Sequence, residues 1–298
     1  MATSPSGYPP PQPEILPPER DDSARQQEEL LAVQERVPGQ QQRRRGPRSW
    51  AYAPATYVLV GINCAVFVWM VLSGVSPSNP TVQQLMNCGA NNPTAVLYYG
   101  EWWRVVTAMF VHVGIIHLAG NMWCLWNLGL LGEPLIGSFG VFAAYVLSGA
   151  AGNLLSIAYN LWPHSPGGSP DIVGAGASGA VFGIAGVLIV LLKSTRLPIP
   201  PKDLAGLRRS VIYFAAINFV IGFGSMAVGS VIHIDNMAHL GGFLGGILFA
   251  LPMVPLLGSP RPVFFFRRRV AVGMMTAVLV FAGYYLSSVF PPSLWQGR

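Results

Sequence analysis

The chain is 298 residues long, 52% hydrophobic and only 10% charged, where a soluble domain of this size carries about a quarter charged residues. Its formal charge of +6 divides unevenly: seven basic and seven acidic residues precede Trp50 and cancel, leaving eleven basic against five acidic residues in the apolar remainder. Such an excess reports membrane topology, so a soluble enzyme is excluded and no nucleic-acid partner is expected.

Residues 1–50 are rich in Pro, Gln and Arg. They cannot bury a core and are expected to form a disordered tail. Within it "YPPPQP" reads as solvated and "EELLAVQERV" as at most a short amphipathic helix. No apolar run follows Met1, so insertion is expected to be directed by the first membrane helix and not by a cleaved signal peptide. Beyond the tail, apolar stretches predict seven transmembrane helices over about 54–74, 113–132, 138–158, 177–193, 210–229, 236–256 and 270–290. The division is a tail (1–50), a core of six helices (51–257), and a basic loop with a seventh helix (258–298).

Basic residues orient this all-α polytopic protein in the bilayer. Arg43, Arg44, Arg45 and Arg48 precede the first segment; Lys193, Arg196, Lys202, Arg208 and Arg209 separate the fourth and fifth; Arg261, Arg267, Arg268 and Arg269 separate the sixth and seventh. All three groups fall on one side and only Arg104 and Arg298 on the other. The N-terminus is therefore expected in the cytoplasm and the C-terminus outside. The second, fourth and sixth segments then enter the bilayer from outside.

The first long loop carries "LYYGEWWRVVTAMF". Tyr98, Tyr99, Trp102 and Trp103 suit a membrane interface, with Arg104 snorkelling to headgroups; no catalytic role follows from them. In "DIVGAGASGAVFGIAGVLIVLLK", Ser178 stands fifteen residues before Lys193, about 22 Å along a helix, and so lies beneath the outer surface of a hydrocarbon layer about 30 Å thick. Alone, this serine among glycines is a packing motif. It gains a partner in His239 of "IHIDNMAHLGGFLGGILFA", an ionisable group at matching depth in the first turn of the sixth segment, where a functional reason is the default. Gly179 and Gly183 share one face of the fourth segment; Ala238, Gly242 and Gly246 share one of the sixth. These small surfaces permit the backbone approach that a serine–imidazole pair needs. His117 and Asn121, at i and i+4 of the second segment, are polar groups aimed one way; Asn121 alone suits an interhelical hydrogen bond equally well, and the matching depth of Ser178 and His239 adds weight to a role in stabilising an oxyanion.

Three motifs, "EWWRVVTAMFVHVGIIHLAGN", "GAGASGAVFG" and "NMAHLGGFLGG", follow in order on the second, fourth and sixth segments. They resemble the rhomboid intramembrane serine proteases over about residues 54–256. The resemblance implies a six-helix core in which Ser178 is the nucleophile and His239 its general base. It further implies Asn121, His117 and the Ser178 backbone N–H as oxyanion donors, Gly176 as the glycine before the nucleophile, and Trp103 and Arg104 as the loop-one pair. Gly242 and Gly246 match the sixth-helix glycines, and a seventh helix resembles the family's extended members. Substrates would be transmembrane proteins in the same bilayer.

Asp235, four residues before His239, is expected to cap a helix and not to complete a triad. His112 and His233 read as loop or interface residues, His164 lies in a Pro- and Gly-rich loop, and Glu133 reads as a turn or helix-end residue. Cys64, Cys88 and Cys124 have no paired spacing and no H-E-x-x-H occurs, so neither a disulfide framework, a metal nor any other cofactor is expected. A transporter or channel would account for polar residues in helices but leaves the Ser178 and His239 coincidence unexplained. An inactive rhomboid-like binder would lack nucleophile or base.

Overall fold

Apolar helices dominate the computed structural model, which describes residues 52–163, 165–194, 200–227, 235–256 and 260–291. The expected tail, His164, Arg196, His233 and Arg298 lie outside the described residues. The elements are α1 Pro54–Leu72, α2 Val82–Asn87, α3 Pro93–Leu97, α4 Arg104–Thr107, α5 Ile115–Leu161, α6 Ser178–Leu191, α7 Pro201–Ala227, α8 Asn236–Ala250, a 3₁₀ turn Leu251–Leu256, and α9 Arg261–Val289. Among the described residues, four helical stretches are long and apolar enough to cross a membrane: Pro54–Leu72, Ile115–Leu161, Asn236–Val254 and Pro262–Val289; α6 is a shorter apolar helix.

The second and third predicted segments are the two halves of α5. They meet at Gly137, whose φ of 75° and ψ of 164° break the helix three residues after Pro134. Proline removes one intrahelical bond and glycine tolerates the left-handed φ. Arg268 of α9 donates to Ile136 O at 3.0 Å, supplying a donor where the break frees a carbonyl. Helices α7 and α9 begin about nine residues earlier than apolarity predicts, at Pro201 and Arg261. Lys202, Arg208, Arg209 and Arg267 to Arg269 are good helix formers, so the helix runs on past the apolar stretch.

Glu133 does more than close a helix. Its carboxylate accepts from the N–H of Ala55 at 2.9 Å, the N–H of Thr56 at 2.8 Å and Thr56 Oγ1 at 2.8 Å, while only 3% exposed. Ala53, the N-cap of α1, provides no side-chain cap; a carboxylate from α5 satisfies free N–H groups of the first turn and complements the helix dipole. Deeper in the same interface, Asn63 of α1 donates to Tyr145 Oη at 3.0 Å, and Tyr145 donates to Met109 O at 3.2 Å. Inside a bilayer such paired polar groups and close van der Waals contacts hold helices together, because lipid offers apolar side chains as much as a neighbouring helix does.

Candidate active site

Ser178 opens α6, and the residues before it decide what surrounds it. Gly176 has a φ of 133°, and its N–H donates to Ala108 O at 2.9 Å. A Cβ at this position would lie 2.6 Å from His117 Cε1, 3.1 Å from His117 Nε2 and 3.6 Å from Asn121 Nδ2. Only glycine meets both demands. His117 and Asn121, one turn apart on α5, are thereby brought against the chain just ahead of the serine. Ala177 provides α6 with no side-chain cap, so the first-turn N–H groups of α6 are not occupied by one.

His239 sits in the first turn of α8 and is 5% exposed. Its approach to α6 is set by main chain against main chain. A Cβ on Gly179 would stand 3.2 Å from Ala238 O, one on Gly242 would come within 2.0 Å of Gly179 O, and one on Gly246 within 1.9 Å of Gly183 O. On the other flank, a Cβ on Gly152 of α5 would lie 2.4 Å from Ala238 O. Ser178 and His239 each adjoin the contact of Gly179 with Ala238. The imidazole stacks on Phe182, one turn beyond Ser178, with ring centres 4.3 Å apart and planes 20° from parallel. Phe219 of α7 meets it edge-on at 6.1 Å. Phe182 was not singled out in the sequence, although its i+4 spacing from Ser178 was the available signal.

Among the described residues, His239 Nδ1, His117 Nδ1 and Asn121 Nδ2 have no hydrogen-bond partner. No hydrogen bond joins Ser178 Oγ to His239 among them either. Catalytic hydrogen bonds are often long without substrate and tighten when it binds. A cavity of about 230 Å³ lies between α5 and α7, lined by Trp123, Cys124, Leu131, Leu207 and Phe214 among others, and none of the four predicted site side chains lines it.

Asp235 caps α8 as expected. Its Oδ1 accepts from Ala238 N–H at 2.9 Å and its Oδ2 from Ser156 Oγ. Burial pushes its carboxyl above the usual carboxylate range, while the Ser156 and backbone hydrogen bonds pull it back. His112 is a loop residue, as expected, but fully buried: its Nδ1–H donates to Phe110 O at 3.2 Å and its ring centre is 5.4 Å from that of His117. Burial and the neighbouring His117 push it down to about 3. Two histidines five residues apart around a helix start were the signal for this contact.

The expectation for Arg104 is corrected. It does not snorkel: at 8% exposure it donates through Nη1 to Met86 O at 2.7 Å and Ala90 O at 3.0 Å, and through Nε to Glu101. A guanidinium fork satisfies several carbonyls at once, which outweighs a headgroup contact. Trp103, half exposed, lies beneath it at 4.5 Å.

The family model described as the rhomboid domain matches residues 99–256, a window that contains Trp103, Arg104, His117, Asn121, Ser178 and His239. The chain belongs to the rhomboid family. It is similar to the rhomboid protease GluP of Bacillus subtilis, 30% identical over 230 residues that make up 77% of this chain and 40% of that one. It is also similar to RHOMBOID-like protein 1 of Arabidopsis thaliana, 34% identical over 58% of this chain and 39% of that one. The rhomboid protease AarA of Providencia stuartii is 29% identical over 67% of this chain and 72% of its own length. The chain thus spans about two fifths of the first two relatives. Rhomboid membership, together with the apolar helices, makes it an integral, multi-pass membrane protein. The matched window leaves out α1 and α9.

Proposed function

We propose that this rhomboid is an intramembrane serine protease that hydrolyses a peptide bond in or beside the transmembrane segment of another protein. Ser178 Oγ attacks the substrate carbonyl carbon while His239 takes its proton. The oxyanion of the tetrahedral adduct is held by the Ser178 N–H, His117 and Asn121. Collapse breaks the C–N bond, His239 returns the proton to the departing amine, and an acyl-enzyme remains. Water, deprotonated by His239, then releases the acid and restores Ser178.

One observation carries this reading. Without side chains at Gly176 and Gly179, the chain leading into Ser178 lies against His117 and Asn121 of α5, and the start of α6 lies against Ala238, the neighbour of His239. The names of relatives such as GluP and AarA support the same activity.

The two halves of α5, with α1 and α6 to α9, make seven crossings, since 47 residues span about 70 Å at 1.5 Å each. The N-terminus is cytoplasmic and the C-terminus external, by the distribution of Lys and Arg. Residues 1–50 form a tail, 51–257 the six-helix protease core, and 258–298 the added basic loop and helix. The site then opens toward the external face and draws water from there.

The test is cleavage of a generic transmembrane substrate by purified protein in detergent, beside Ser178→Ala and His239→Ala, with labelling by a serine-directed fluorophosphonate. Both variants should fold, fail to cleave and escape labelling. Undiminished cleavage by either removes the dyad. Solute flux without proteolysis would favour a transporter, and substrate capture without cleavage an inactive binder.

A further inference from the structure

Loop one and the segment leading into Ser178 are joined along their main chains. Asn91 and Gly174 exchange hydrogen bonds in both directions, each 2.8 Å, as an isolated antiparallel bridge. Asn92 Nδ2 donates to Pro170 O and Ile172 O, both at 3.1 Å, and Thr94 Oγ1 donates to Pro170 O at 3.2 Å. Two residues beyond Gly174, the Gly176 N–H reaches Ala108 O at 2.9 Å. Residues 170–176 are thus suspended from loop one at both ends, and Ser178 follows directly.

The shape of loop one at this seam depends on Arg104. The two carbonyls that its Nη1 bonds, Met86 and Ala90, bracket the turn at Gly89, whose φ is 97°. Thr107 Oγ1 donates to Gly89 O at 2.8 Å, and the Trp103 ring covers the glycine so closely that a Cβ there would lie 2.9 Å from it. Asn91, which bridges to Gly174, is the next residue after Ala90. Without the guanidinium, the buried Ala90 carbonyl loses its donor, the part-buried Met86 carbonyl is left with the Gly89 N–H at 3.1 Å, and the turn that aims Asn91 loosens.

We propose that Arg104 is a positioning residue for the oxyanion site. It touches no reacting atom; it fixes the turn at 86–90, the turn fixes the Asn91 bridge, and the bridge fixes the backbone that carries Gly176 and the Ser178 N–H. This rests on the reading of Ser178 N–H and Asn121 as oxyanion donors. An error of about 1 Å in such a donor costs up to about 100-fold in rate.

The experiment measures kcat, KM and thermal unfolding in detergent for Arg104→Ala, Arg104→Lys, Asn92→Ala and Asn121→Ala, and for Asn121→Ala combined with each of Arg104→Ala and Asn92→Ala. Arg104→Ala should lower kcat about 10- to 100-fold with KM nearly unchanged, and Arg104→Lys, which keeps the charge but not the fork, should fall between. Combined with Asn121→Ala, the loss should be smaller than the product of the single losses, because both changes weaken hold on one oxyanion. A wild-type kcat in Arg104→Ala, a loss confined to KM, or fully multiplicative losses overturns the proposal. If Arg104→Ala does not fold, Asn92→Ala decides, since it cuts two bonds of the seam and leaves Arg104 in place: a kcat loss sub-multiplicative with Asn121→Ala supports the relay, and an absent or multiplicative loss sinks it. An unchanged kcat in Asn121→Ala would remove the oxyanion reading and this inference with it, whereas a loss there beside an unaffected Arg104→Ala removes the inference alone.

Discussion

Gly242→Ala puts one methyl group where α6 and α8 touch. The added carbon would stand 2.0 Å from Gly179 O, and a carbon rests against a carbonyl oxygen no closer than about 3.3 Å. Gly179 O belongs to helix backbone and cannot rotate aside, so the helices must part by about 1 Å or more at this level. Ser178 and His239 lie beside that contact, and if the pair is held apart by this amount, the hydrogen bond of about 2.8 Å that the proposed reaction needs when substrate binds cannot form well enough to transfer a proton. Cleavage should fall about 100-fold. Overpacking should also lower stability by about 1–3 kcal/mol. Gly120→Ala is the control: it lies one residue from Asn121, nothing stands within 4 Å of its added carbon, and alanine improves helix propensity by up to about 1 kcal/mol. Cleavage of a fluorogenic transmembrane substrate and unfolding followed by tryptophan fluorescence, both in detergent, measure the two effects. Wild-type cleavage and melting in Gly242→Ala would refute the claim that main-chain contact sets the distance between base and nucleophile.

Glu133→Gln should destabilise the folded protein by about 1–3 kcal/mol, since an amide cannot accept from all three donors of Ala55 and Thr56 as the carboxylate does; thermal unfolding that matches the wild type would remove its role as the cap of α1. Removing residues 1–48 should leave cleavage in detergent intact, because the proposed protease core begins at residue 51, and lost activity in well-folded truncated protein would contradict that division. On the proposed topology Ser178 would lie about 8 Å below the outer edge of the hydrocarbon, so mass spectrometry should find the cut toward the external end of the substrate's membrane segment. Gly or Pro near the cut should speed it by weakening the helix, and indifference to moving the helix breaker would count against the placement.

Hydropathy located the membrane helices to within a few residues where apolar runs end in Gly, Pro or loop, as at Leu72, Leu191 and Asn236. It misplaced the starts of α7 and α9, because charged residues there continue the helix and an apolarity signal stops at the first of them. Ser178, His239, His117 and Asn121 stood out as candidates because polar side chains in an apolar helix are rare and helical spacing indicates a shared face. Arg104, Glu133 and His112 were not legible in the same way. Their partners are main-chain groups or rings that only the folded chain brings near: Met86 and Ala90 carbonyls for Arg104, the Ala55 and Thr56 amides for Glu133, and the Phe110 carbonyl with the His117 ring for His112. No residue type marks a peptide group as an unpaired acceptor or donor, so such pairing emerges only with the tertiary fold.

The unpartnered Nδ1 of His239 sets a tempo for the proposed reaction. When the ring takes the serine proton it becomes a cation, and Asp235 has both oxygens engaged on Ala238 and Ser156. In a Ser-His-Asp triad, disabling the carboxylate behind the ring costs about 10⁴ in turnover. Slow chemistry alters what decides a substrate's fate. A membrane segment that diffuses away sooner than its bond is cut escapes, however well it fits for a moment, and discrimination passes from the strength of a contact to the time a visitor stays.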